Sequence, residues 1–189
     1  MESSTRILCR IFLTVVVILG THRQTEARER LNIELKKPAA AIDQEQLGKS
    51  IGNDLKKANP QLSADEADAY AEAILEASKR FSLDPHLIKG VIITESHARP
   101  EVKNKDGSCI GSMQVSSYWW DAALRKAGII RNQKDYFDIK CGVLAGAYVL
   151  DHYIGREGTL ARALAKYSGG AKNYHAKVVR NAGRSSFKI

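Results

Sequence analysis

Asp84-Pro85-His86-Leu87-Ile88-Lys89-Gly90-Val91-Ile92-Ile93-Thr94-Glu95-Ser96 is the stretch on which the fold turns. Asp84 supplies an N-cap and Pro85 a preset first turn, so a helix starts here. Leu87, Ile88, Val91, Ile92 and Ile93 make that helix apolar nearly all round, as expected of a buried central helix. It ends on a carboxylic acid. At the C-terminus Glu95 stands against the helix macrodipole, and burial against Val91 and Ile92 penalises its charge further. Both effects raise the pKa, which a general acid needs near neutral pH. An exposed glutamate closing the helix at modest cost is the plainer alternative.

On the N-terminal side, Ser63 and Glu66 have capping-box spacing, and Tyr70, Ile74, Ala77 and Phe81 then fall on one face of a core-facing helix. On the C-terminal side lies a loop of turn formers from His97 to about Gly111, followed by Gly111-Ser112-Met113-Gln114. Asp106-Gly107 in that loop is a strong two-residue turn signal for a small β-hairpin. A third helix is expected from Ser116 or Ser117 to Gly128, and a fourth from Asp138 to Ile154. On the fourth, Gly142 and Gly146 share a face that would admit another helix closely. Thr159 caps a fifth helix, broken at Tyr167-Ser168-Gly169-Gly170, and a last one covers Lys172 to Arg180. The expected fold class is mainly α, with about six helices and a small β element in the candidate active loop.

The chain has 189 residues, net charge +8 and 44% hydrophobic residues, enough for one domain plus a leader or tail. The basic balance suits a polyanionic partner. With no Lys/Arg block interleaved with aromatics, a cell-wall or envelope polymer ranks above nucleic acid, and no nucleic-acid partner is expected. Arg6 and Arg10 precede an apolar run from Ile11 to Leu19, too short for the about 20 residues that cross a bilayer. Residues 1–27 therefore read as a signal peptide or N-terminal anchor, which implies export to the periplasm or cell envelope. Residues 28–62 read as a linker or loosely packed arm, in which Leu47, Ile51 and Leu55 could mark a short amphipathic helix. The domain is expected over 63–181 and a basic mobile tail over 182–189. Export would oxidise Cys109 and Cys141 into a disulfide, with two free buried thiols as the alternative. The bridge would close a loop of roughly thirty residues, worth about 3 kcal/mol on the chain-entropy estimate. Neither cysteine has a second ligand at metal-binding spacing, so no metal or cofactor is expected.

Enzymes that cut glycosidic bonds usually use two carboxylates, and a second is hard to find here. Asp106 belongs to its turn, Asp121 to the start of a helix and Asp138 to an N-cap, while nothing specifies Glu101. A single acid would draw its nucleophile from water or from the substrate.

From about Ala69 to Val178 the chain resembles the soluble-lytic-transglycosylase-like (SLT) domain, which is related to goose-type lysozymes. The resemblance rests on Leu83-Asp84-Pro85 before the apolar helix, the pair Glu95-Ser96, and Gly111-Ser112-Met113-Gln114 for the family's Gly-Leu-Met-Gln. It rests also on Asp138-Ile139 followed by Gly142, and on Ala163-Leu164-Ala165-Lys166-Tyr167-Ser168. It implies a lysozyme-like α+β fold. It implies cleavage of the β-1,4 bond between N-acetylmuramic acid and N-acetylglucosamine in peptidoglycan strands, with the sugar's own 6-hydroxyl as nucleophile. Glu95 would be the single acid and base, and Tyr167 would match the tyrosine that hydrogen-bonds it. Ser96, Met113 and Gln114 would match cleft-lining residues. Tyr118, Trp119 and Trp120 follow directly and could stack on a sugar, although helix packing suits at least one tryptophan.

Ser112 in place of Leu should remove apolar surface beside the cleft, and Lys166 and Ser168, in place of Ala and Asn, should alter substrate contacts. His97 is expected to be a polar loop residue. The protein is expected to be a monomer, and by family analogy it would serve an envelope-spanning secretion, conjugation or pilus machine. A hydrolytic muramidase and a non-catalytic peptidoglycan-binding or assembly protein are the alternatives.

Overall fold

A computed structural model describes residues 44–183. In chain order these form helices α1 (Gln44–Ala58), α2 (Ala64–Phe81) and α3 (Pro85–Ser96), then the short strands β1 (Cys109–Ile110) and β2 (Val115–Ser116). Helix α4 (Ser117–Lys126), a 3-10 turn (Gln133–Phe137), and helices α5 (Ile139–Glu157), α6 (Leu160–Tyr167) and α7 (Tyr174–Ala182) follow. The mainly helical fold with a small two-stranded element is the one expected from the sequence.

The local signals act as their chemistry requires. The Glu66 amide donates to Ser63 Oγ at 3.1 Å and the Ser63 amide donates to Glu66 Oε2 at 2.9 Å, completing the box at the start of α2. Asp84 accepts from the His86 amide at 2.7 Å, with Pro85 in the first turn of α3. Helix α3 is central: Leu87, Ile88, Val91 and Ile92 are fully buried, and α1, α2, α5 and α7 all pack against it.

The segment expected to be a loose arm corrects that expectation over residues 44–62. Ile51 and Leu55 on α1 are fully buried, and a Cβ on Gly52 would stand 3.5 Å from the Ala67 carbonyl of α2. Asp54 Oδ2 also pairs at 2.7 Å with Lys89 Nζ, whose side chain is 2% exposed. Only a narrow stripe of α1 is buried, so its composition stays polar while its geometry belongs to the core. The leader at 1–27, the rest of the arm to residue 43 and the tail from residue 184 lie outside the described residues. Ala182, assigned to the tail, is the buried last residue of α7. Among the described residues no helix is long and apolar enough to cross a membrane.

The loop after α3 folds twice. Around Asp106-Gly107, Lys103 bridges Ile110, and the Asn104 amide donates to the Cys109 carbonyl at 3.0 Å. The paired strands β1 and β2 instead enclose Gly111–Gln114, with Cys109 opposite Ser116 and Ile110 opposite Val115. The expected hairpin turn is therefore the tip before the sheet, and the turn inside the sheet is the Gly-Ser-Met-Gln segment.

Two further expectations are corrected. Gly142 and Gly146 admit no α-helix: a Cβ on Gly142 would meet the carbonyl of Tyr136, in the short 3-10 segment, at 2.8 Å, and one on Gly146 would meet the Met113 side chain at 2.4 Å. Cys109 and Cys141 are free thiols, not a bridge. Cys109 lies on the cleft wall near the Ser108 hydroxyl. Cys141 sits in the first turn of α5, where burial and then the Asp138 carboxylate push its thiol up to about 11. A thiol held protonated is a poor nucleophile for disulfide exchange.

Candidate active site

Helix α3 delivers Glu95 in its last turn and then stops abruptly. His97 (φ 53°) and Ala98 (φ 55°) both take the left-handed conformation, and His97 is an exposed cap residue. The acid is thus pinned at the mouth of a rigid helix, facing a cleft of about 670 Å³.

Burial raises the Glu95 carboxyl from the ordinary 4.5 to about 7, and a hydrogen bond donated by the Tyr174 hydroxyl pulls in the opposite direction. That partner differs from expectation. The family resemblance assigns the acid to Tyr167, but the Tyr167 hydroxyl donates to the Met113 carbonyl at 2.8 Å. The two rings stack, with centroids 6.5 Å apart and planes 23° from parallel, so Tyr167 backs the tyrosine that touches Glu95. Burial, then the Glu95 charge, raises the pKa of each phenol, so both remain donors. Helix α7 brings Tyr174 to the acid by crossing α3 at Gly90, where a Cβ would stand 2.6 Å from the Val178 carbonyl. A lone glycine in an apolar helix is the sequence signal for that crossing.

The Gly111–Gln114 turn reaches the cleft wall through Gln114, and its other residues hold the site instead of facing it. Ser96 is fully buried and donates to the Ser112 carbonyl at 2.8 Å. Ser112 is also fully buried, its hydroxyl 2.6 Å from that of Tyr70, so it removes no apolar surface from the cleft. The Met113 side chain is fully buried in the notch left by Gly146. Ser96 and Met113, expected on the cleft surface, therefore lie behind it. Gln114 does line the cleft; with φ 48° its Nε2 donates to the Val102 and Gly111 carbonyls, both at 3.0 Å.

Helix α4 contributes aromatics. Tyr118 and Trp119 line the cleft, 81% and 76% exposed and edge-on to each other at 4.8 Å. Trp120 also lines the cleft, but it is partly buried and packs edge-on against Tyr148, His152 and Tyr153, the packing role expected of one tryptophan. Lys166 and Ser168 also line the cleft.

Among the described residues Glu95 is the one carboxylate on the cleft wall. Asp106 accepts from the Ser108 amide at 2.9 Å, Asp121 pairs with Arg125 at 2.6 Å, and Asp138 caps α5. Glu101 is exposed away from the cleft. No group of three His, Cys, Asp or Glu side chains among the described residues is arranged to hold a metal ion.

The family model for the transglycosylase SLT domain matches residues 72–189. The chain belongs to this SLT family. A "Transglycosylase" of Enterobacteria phage PRD1 is 30% identical over 119 residues, covering 58% of this chain and 42% of the phage protein. A "Putative peptidoglycan-binding-like protein" of Escherichia coli K12 is 26% identical over 103 residues, covering 50% of this chain and 65% of that relative. The chain thus spans less than two thirds of either relative. The match begins within α2, so α1 is a helix that this SLT domain carries ahead of the matched region. Chemically, the SLT cleft offers a carboxyl poised to be neutral near pH 7, a phenol ready to donate to it when charged, and aromatic faces nearby.

Proposed function

We propose that this SLT domain is a peptidoglycan lytic transglycosylase, cleaving the MurNAc-β-1,4-GlcNAc bond to leave a 1,6-anhydromuramoyl end. The observation that carries the reading is one half-buried acid with a pKa raised to about 7 in a cleft that presents no second carboxylate among the described residues. Protonated Glu95 gives its proton to the glycosidic oxygen as the C1–O bond breaks. Tyr174 donates to the carboxylate so formed, a charge-assisted hydrogen bond that strengthens as charge develops. The carboxylate then takes the proton of the muramoyl 6-hydroxyl as that oxygen bonds to C1. Glu95 ends protonated, ready for the next cycle, and no water is consumed.

Tyr118 and Trp119 offer faces on which sugar rings stack, and Gln114 a polar edge beside them. The protein acts as an exported enzyme of the periplasm or envelope, serving a machine that crosses the wall. The peptidoglycan in one relative's name supports the substrate.

Clearing of purified sacculi by wild-type protein and by Glu95→Gln tests the acid. Loss of an acid–base catalyst should slow clearing roughly a hundred- to ten-thousandfold. Wild-type clearing by Glu95→Gln would remove Glu95 from the chemistry and favour a wall-binding role.

A further inference from the structure

Two cations on the cleft wall have no part in the chemistry above. Lys166 is the last residue before Tyr167 on α6, and Lys177 lies one turn beyond Tyr174 on α7. Both line the cleft and both are exposed. The ion pairs among the described residues join Lys49 to Glu45, Lys57 and Lys89 to Asp54, Arg125 to Asp121, and Lys140 to Glu76. None engages Lys166 or Lys177. The one carboxylate that the described residues place on the cleft wall, Glu95, is engaged by Tyr174, and burial and that hydrogen bond are what set its proton affinity. Two charges that most surfaces would leave scattered thus stand in one concavity, flanking the tyrosine pair, and among the described residues no carboxylate forms an ion pair with either.

We propose that Lys166 and Lys177 form a subsite for the carboxylates of the peptide stem, so that the enzyme prefers glycan strands still carrying their stems. This rests on the peptidoglycan reading. The stem hangs from the lactyl group of the same muramoyl sugar whose C1–O bond is cut, so its carboxylates enter the cleft whose wall carries these two cations. Plain solubility would explain lysines anywhere on the surface; it does not explain two inside the cleft that pair with no carboxylate among the described residues.

The test compares kcat/KM on glycan strands bearing stems with the same strands stripped by an amidase, for wild type and for Lys166→Gln/Lys177→Gln. Wild type should favour stem-bearing strands, and the double variant should lower that ratio roughly threefold or more, given two partly screened pairs. The wild-type ratio should also shrink as salt rises from about 0.05 to about 0.5 M, and Lys→Arg at both positions should retain it. An unchanged ratio, or an equal loss on both substrates, overturns the subsite. So does an alkaline limb displaced from about pH 7 in the double variant, because the lysines would then act on Glu95 instead of the stem. If wild type cleaves neither substrate, the functional reading fails. Binding of Glu95→Gln protein to the two strand preparations still tests the subsite, with equal affinities counting against it.

Discussion

Glu95 is held where its charge is unwelcome, and that has a cost the folded protein carries. Its pKa rises from 4.5 to about 7 on folding, so between those values the folded protein keeps a proton that the unfolded chain has released. Stability therefore falls as pH rises through that window. Glu95→Gln should relieve the cost: urea denaturation should find the variant stabilised by about 1–3 kcal/mol at pH 8 and by little at pH 4.5. A gain of the same size at both pH values would assign the effect to packing. Activity that needs protonated Glu95 should decline above about pH 7. Tyr174→Phe removes the bond that lowers this pKa, so the limb should move to higher pH while the rate drops roughly ten- to hundredfold, the size of one charge-assisted bond. Tyr167→Phe should leave the limb in place and instead destabilise the fold by about 1–3 kcal/mol, because the Met113 carbonyl loses its donor. The acid is legible in the sequence because helix end and apolar flank both point to it. The phenol that touches it is not, since Tyr167 and Tyr174 bracket a glycine-containing turn and only the packed helices decide which ring faces Glu95.

At the scale of elements, the site depends on two close approaches. Gly90 lets α7 cross α3, and Gly146 lets Met113 seat against α5. Gly90→Ala should force α7 away from α3, costing about 1–3 kcal/mol as overpacking does, and should weaken the Tyr174–Glu95 bond. Its activity should therefore fall at temperatures where circular dichroism still reports a folded protein; full activity in that state would uncouple the crossing from the site. Cap residues make most of the helices legible in the sequence, since Ser63, Asp84, Asp138 and Thr159 carry their chemistry locally. Helix α1 is hidden there because its buried stripe is narrow and its other faces are charged. Leu55, fully buried, gives the check: Leu55→Ala should cost about 2–5 kcal/mol, whereas a loose arm would tolerate it.

For the whole molecule, the cleft unites segments far apart in sequence: the end of α3, the turn between β1 and β2, the start of α4, and the junction of α6 with α7. Motifs mark most of these segments, but not which residues face the cleft. Ser96, Ser112 and Met113 carry the motif and lie behind its wall, because a turn this tight needs its side chains for its own support. What reaches the substrate space includes, among the described residues, one acid, the two exposed aromatics Tyr118 and Trp119, and the lysines Lys166 and Lys177. The central claim is that this acid works with a nucleophile supplied by the sugar itself. Mass spectrometry of the muropeptides released from purified sacculi tests it most directly. Products ending in 1,6-anhydromuramic acid, absent with Glu95→Gln, are the predicted result; reducing muramoyl ends, heavier by one water, would contradict it.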